Sequence, residues 1–165
     1  MPSRVNFVAK LLFPGVIIVD QVTKFLIRRN FILHESMPFV PFLSITYVEN
    51  TGIAFGFFQG ERHSNLFFIV VSLGVLAVLF ISRNQIIQQA GLYGRVAMSL
   101  IFGGAVGNLI DRIFVGKVID FIDVHFWPVF NVADSCITVG GIILFLFFAG
   151  ILKPDTCHGT KRGER

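Results

Sequence analysis

Residues 133–152 read ADSCITVGGIILFLFFAGIL, with one acid, Asp134, at the second position and no further charge before Lys153. As a helix rising about 1.5 Å per residue, this run reaches roughly 30 Å, the depth of a bilayer's hydrocarbon core. Three earlier runs have similar length: 8–27, interrupted by Asp20 and Lys24; 66–82, uncharged; and 96–114, rich in glycine. The 165 residues are 54% hydrophobic and 15% charged, and 20 of them are phenylalanine. Soluble domains have about 45–50% and about 25%, and a soluble chain this short could not bury so much apolar surface. The expected fold class is an all-α membrane protein of four transmembrane helices, at about 8–27, 66–82, 96–114 and 133–152.

The basic residues orient these spans. Arg4, Lys10, Arg83, Arg95, Lys153, Lys161, Arg162 and Arg165, eight of the 14, fall on one side, with Arg83 and Arg95 in a short loop between the second and third spans. That bias puts both termini in the cytoplasm and the longer connections, 28–65 and 115–132, outside. The first run continues past Asp20 through QVTKFLI without a small-residue cleavage site, so it reads as a retained helix. Residues 43–48 alternate weakly and predict a short strand, with NTG as a turn, in a small extracytoplasmic β element. An amphipathic stretch is expected near 59–65. The second outer segment, GKVIDFIDVHFWPVFN (116–131), is aromatic, and Trp127 suits the interfacial belt. One domain over 1–153 and a polar cytoplasmic tail over 154–165 complete the plan.

Several chemistries are disfavoured. The net charge of +4 is not organised into a basic stripe with interleaved aromatics, so nucleic acid is not an expected partner. Cys136 and Cys157 have no C-x-x-C spacing, and His34, His63 and His125 have no paired ligand spacing, so no metal is expected. No serine sits in a Gly-x-Ser-x-Gly elbow.

Ionisable residues inside membrane segments are functional candidates. Asp20 and Lys24 share a helix face at i, i+4. GGAVGNLIDR (103–112) pairs Gly103 with Gly107, which lets a neighbouring backbone approach. Asn108, Asp111 and Arg112 then line one face. Arg112 offers a planar donor fork for a carboxylate or peptide carbonyl; Asp111 also reads as a helix-end salt-bridge partner of Arg112. Asp120 and Asp134 both fall near the outer face. Two close carboxylates share one proton, and such a pair activates water while polarising a carbonyl. Asp134 reads equally as the N-cap of the fourth helix and Asp120 as a solvated interface acid, with Asp123 a competitor.

Five blocks decide between these readings: VDQVTK (19–24), ENTGIAFG (49–56), GNLIDR (107–112), VIDF (118–121) and FNVADS (130–135). In this order and topology they resemble the lipoprotein signal peptidases, or signal peptidase II, over roughly residues 10–150. The resemblance implies a bacterial inner-membrane aspartic protease without cofactor, active near the periplasmic face. It implies cleavage of prolipoproteins just before a diacylglyceryl-modified cysteine. Matched residue by residue, it implies a catalytic pair, Asp120 and Asp134. It also implies substrate-binding roles for Asn50, Gly52, Asn108, Arg112 and Asn131, with Asp20, Lys24 and Asp111 in support. The expected partners are these precursors and membrane lipids, and the expected state is a monomer. Rival readings are a proton-coupled transporter using Asp20, Lys24 and Asp134, and a non-catalytic assembly protein built on the glycine-rich helix.

Overall fold

A computed structural model describes residues 2–52 and 61–153, with side chains at 11–52 and 64–153. The expected tail, residues 53–56 of the ENTGIAFG block and the start of the stretch expected near 59–65 lie outside the described residues; from Glu61 onward that stretch is helix. In chain order the elements are α1 (Pro2–Asn30), β1 (Ser36–Val40), β2 (Leu43–Asn50), α2 (Glu61–Phe114), β3 (Val118–Asp123) and α3 (Val132–Phe148).

Helix α1 is turned inside out relative to a soluble helix. Its buried stripe is Val16, Asp20, Lys24 and Ile27, at helical spacing, while Ile18 is 61% and Phe25 59% exposed. A helix in water hides its apolar face; this one hides Asp20 and Lys24 and presents hydrocarbon outward. The outer faces of α2 and α3 follow suit, through Leu66, Val70, Val78, Ile81, Ile142 and Phe145.

Helix α2 departs from expectation. The short loop expected around Arg83 and Arg95 is absent: the backbone is helical except at Gly91, where φ is 56° and ψ −121°. Glycine reaches that left-handed region without a Cβ clash, so one residue joins two helical arms, 61–90 and 92–114. Arg83 lies on the first arm, donating to Phe80 O at 3.0 Å. By length and composition Ser64–Phe114 suffices to cross a membrane, and Val132–Phe148 is a shorter apolar helix.

The second arm lies between α1 and α3, brought close by small residues. A Cβ on Gly103 would stand 2.8 Å from Val16 Cβ, and one on Gly107 2.5 Å from Asp20 Oδ2. On the other side Gly104 abuts the Ala133 carbonyl, and a Cβ on Gly140 would stand 2.8 Å from Ala97 O. Close backbone approach is how helices pack where no hydrophobic force separates them from lipid. Helix α3 stops at Phe148, short of 152, because Gly150 turns left-handed (φ 74°) and the Ile151 and Leu152 amides return to Leu146 O.

The β element is a three-stranded antiparallel sheet in the order β1-β2-β3. Strand β2 lies where alternation is expected. Strand β3 is an addition, pairing Val48 with Asp120 and Asn50 with Val118. A small core of Ile27, Tyr47, Ile119 and Phe121 joins the end of α1 to the sheet. Because strand side chains alternate, Ile119 facing that core sends Asp120 the opposite way.

Candidate active site

Asp120 is 2% exposed. Its Oδ2 accepts from Asn50 Nδ2 at 2.9 Å, from the neighbouring strand β2, and its Oδ1 accepts from Asn131 Nδ2 at 2.7 Å. Burial pushes its carboxyl up to about 6; the charge of Asp134 adds to that rise, while Asn50, Asn131 and Lys24 oppose it.

Asp134 is at the start of α3, but not as its cap. Asn131 is the N-cap and Asp134 the third helical residue, in a reciprocal box. Asp134 N donates to Asn131 Oδ1 at 2.9 Å, and Asn131 N donates to Asp134 Oδ2 at 3.3 Å. Asp134 Oδ1 accepts from Asn108 Nδ2 at 2.7 Å. The fully buried Asn131 therefore holds Asp134 by the box and Asp120 by its amide. Its Nδ2 also lies 3.1 Å from Asn108 Oδ1 and 3.3 Å from Ile119 O.

The remaining residues expected at the site gather round this pair. Asn50 Oδ1 accepts from Gly52 N at 2.8 Å, closing a turn in which Gly52 adopts φ 80° and leaves no room for a Cβ against the Phe68 ring. The Arg112 guanidinium lies 5.2 Å from the centre of that ring, and among the described residues it forms no ion pair. The Asn65 side chain donates to Arg112 O at 2.9 Å and Ser64 Oγ to Thr51 O at 2.8 Å, tying the first arm of α2 to this corner.

Beneath it Lys24 pairs with Asp20 at 2.8 Å and with Asp111 at 2.9 Å, and donates to Asn108 Oδ1 at 2.9 Å. Asp111 therefore pairs across to α1 and not with its neighbour Arg112. Gln21, a residue the sequence reading passes over, donates to Asp20, to Gly107 O and to Asp111 at 3.0–3.2 Å. A neutral amide inside a polar block carries no signal of its own. Asp123 stays apart: it accepts from Thr46 Oγ1 and the His125 amide, which together hold its carboxyl below the ordinary range, the His125 amide most. His125 also bonds Ser44 Oγ at 2.9 Å, away from the pair.

A cavity of about 220 Å³ opens beside the site. Val71, Ser72 and Val75 from the first arm of α2, Ile101 and Ala105 from the second, and Ile137 from α3 line it, and Asn108 and Arg112 form its polar end. Two carboxylates held by amides can bring water to a carbonyl, and Asn108, which donates to Asp134, links them to the cavity.

Known proteins resemble this chain over most of its length. The family described as "Signal peptidase (SPase) II" matches residues 12–149. The lipoprotein signal peptidase of Geobacter metallireducens is 47% identical over 135 residues, covering 79% of this chain and 83% of that one. The lipoprotein signal peptidase of Symbiobacterium thermophilum is 44% identical over 146 residues, covering 85% and 93%. A bacterial membrane enzyme solved by the in meso method superimposes with a TM-score of 0.75 at 34% identity, over 96% of this chain and 94% of that one.

Proposed function

The chain belongs to the signal peptidase II family, and from that premise we propose that it removes signal peptides from prolipoproteins with Asp120 and Asp134 as its catalytic pair. The observation that carries this reading is the single buried residue, Asn131, that holds both carboxylates, Asp120 by its side-chain amide and Asp134 by its backbone N–H, while Asp120 stays buried with its carboxyl raised to about 6.

In this reading the pair holds one proton. The ionised carboxylate takes a proton from water as the water oxygen attacks the scissile carbonyl carbon. The protonated carboxyl donates to the carbonyl oxygen as it becomes tetrahedral. Collapse expels the amine, which takes a proton from the carboxyl protonated by water, while a hydroxyl of the tetrahedral intermediate returns its proton to the other carboxylate, so the pair again holds one proton. Asp134 is held at the N-terminus of α3 by donors from Asn108 and the Asn131 backbone. In this reading Arg112 and Asn50 meet the unwound substrate backbone, whose polar groups would otherwise be costly in lipid.

The substrate class rests on the family, and the surroundings support it. The apolar cavity between the arms of α2 and α3, about 220 Å³, has room for a side chain or two of a signal peptide's hydrophobic segment, next to Asn108 and Arg112. The bond cleaved is the one before a diacylglyceryl-modified cysteine. The chain is a single peptidase domain, acting as a monomer among membrane lipids. Helix α1, both arms of α2, and α3 make four membrane spans with cytoplasmic termini. The sheet and the acid pair then lie toward the periplasmic face of the bacterial inner membrane.

The test is cleavage of a precursor in lipid micelles, with the product's N-terminus read by mass spectrometry. Cleavage before the diacylglyceryl cysteine, and none when the lipid is omitted, is expected. Efficient cleavage of the unlipidated precursor would contradict the substrate assignment.

A further inference from the structure

The buried cluster beneath the acid pair has a common destination. Lys24 binds Asp20 Oδ2 and Asp111 Oδ2 at 2.8 and 2.9 Å. Each of these carboxylates has a second task. Asp20 Oδ1 accepts at 2.9 Å from the amide of Ala133, the residue immediately before Asp134. Asp111 Oδ2 accepts at 3.1 Å from the amide of Ile119, the residue immediately before Asp120. The third partner of Lys24, Asn108, donates to Asp134 itself.

Asp20, Lys24 and Asp111 are all at most 3% exposed. A buried salt bridge stabilises little, because desolvation offsets the Coulombic gain. Its geometric effect is larger. The Ala133 amide is a first-turn donor of α3 with no intrahelical partner, so α1 fixes the start of α3 through Asp20. The Asp111 side chain reaches past the turn at Gly116 (φ 86°) to the beginning of β3. This contact adds to the Asn131 bridge in fixing helix and strand relative to one another.

Resting on the assignment of Asp120 and Asp134 as the catalytic pair, we propose that Lys24, with Asp20 and Asp111 as its two arms, is a positioning device that sets the separation of the two catalytic carboxylates. One cation draws two carboxylates together, and each grips the backbone just before one member of the pair. None of the three touches substrate. Loosening the device lowers turnover without weakening substrate binding in the cavity.

The test uses the full chain in lipid micelles with a fluorescent diacylated precursor, comparing Asp111→Leu, which removes the ion pair and the grip on Ile119, with Asp111→Asn, which keeps an oxygen for that amide. Since a misplacement of about 1 Å lowers turnover about 100-fold, kcat per folded enzyme is expected to fall about 100-fold in Asp111→Leu and about 10-fold in Asp111→Asn, with KM within about twofold. A cluster that served stability alone would lower the folded fraction and leave kcat per folded enzyme unchanged. That result in Asp111→Asn, which preserves shape and decides the matter if Asp111→Leu does not fold, overturns the proposal, as does a raised KM at unchanged kcat. Asp120→Asn and Asp134→Asn run alongside. Full turnover in either removes the underlying assignment, whereas their inactivity with an unaffected Asp111→Asn removes the positioning role alone.

Discussion

Asp120→Asn should make the protein more stable at neutral pH while abolishing cleavage. Burial raises the Asp120 carboxyl from 3.8 to about 6, a rise of about 2 units, or about 3 kcal/mol. The sign follows from proton binding. Between about pH 4 and about pH 6 the folded state holds a proton that the unfolded state has lost, so stability falls as pH rises through that window and stays lower above it. The side-chain amide carries no charge and escapes this penalty, but turns a donor toward Asn50 or Asn131, losing one hydrogen bond worth about 1 kcal/mol. The expected net gain is about 2 kcal/mol at pH 7.5, shrinking to about zero at pH 4.5. Thermal unfolding in detergent, followed by the fluorescence of the single Trp127, measures both. A difference between variant and wild type that does not increase with pH would refute the reasoning.

Other consequences are as direct. The Asp120 carboxyl at about 6 marks loss of a proton from the pair, so kcat/KM should decline on the alkaline side of about pH 6. Asn50→Ala removes a donor that lowers this value and should move that limb upward in a pH–rate profile. Gly107→Ala places a methyl 2.5 Å from Asp20 Oδ2 and should destabilise by about 1–3 kcal/mol, whereas Gly141→Ala, with open space around it, should leave the unfolding temperature within a degree or two. Lys24→Met leaves two buried carboxylates without their cation and should lose about 3–5 kcal/mol in unfolding experiments.

The helices are largely legible because lipid-facing helices are written as long apolar runs, and β2 because 43–48 alternate. Strand β3 is not: VIDF is buried on both faces, so it has no alternation and reads as a short apolar fragment. The loop expected near Arg83 and Arg95 fails for a different reason. Charges mark where a helix leaves the membrane, but a single left-handed Gly91 redirects the chain without a loop. At the site, local pairs are readable and remote ones are not. The i, i+4 spacing of Asp20 and Lys24 predicts their ion pair. The partner of Asp111 lies on another helix, beyond reach of spacing rules. Asn131 and Asp134 are both cap-forming residues three apart, and only the backbone geometry tells which is the cap.

The central claim is that Asp120 and Asp134 perform the hydrolysis together. Its most direct test is turnover of a diacylglyceryl precursor by Asp120→Asn and Asp134→Asn, each purified, folded and compared with wild type. Loss of cleavage in both, with precursor binding retained, is the predicted result. Wild-type turnover in either variant would contradict it.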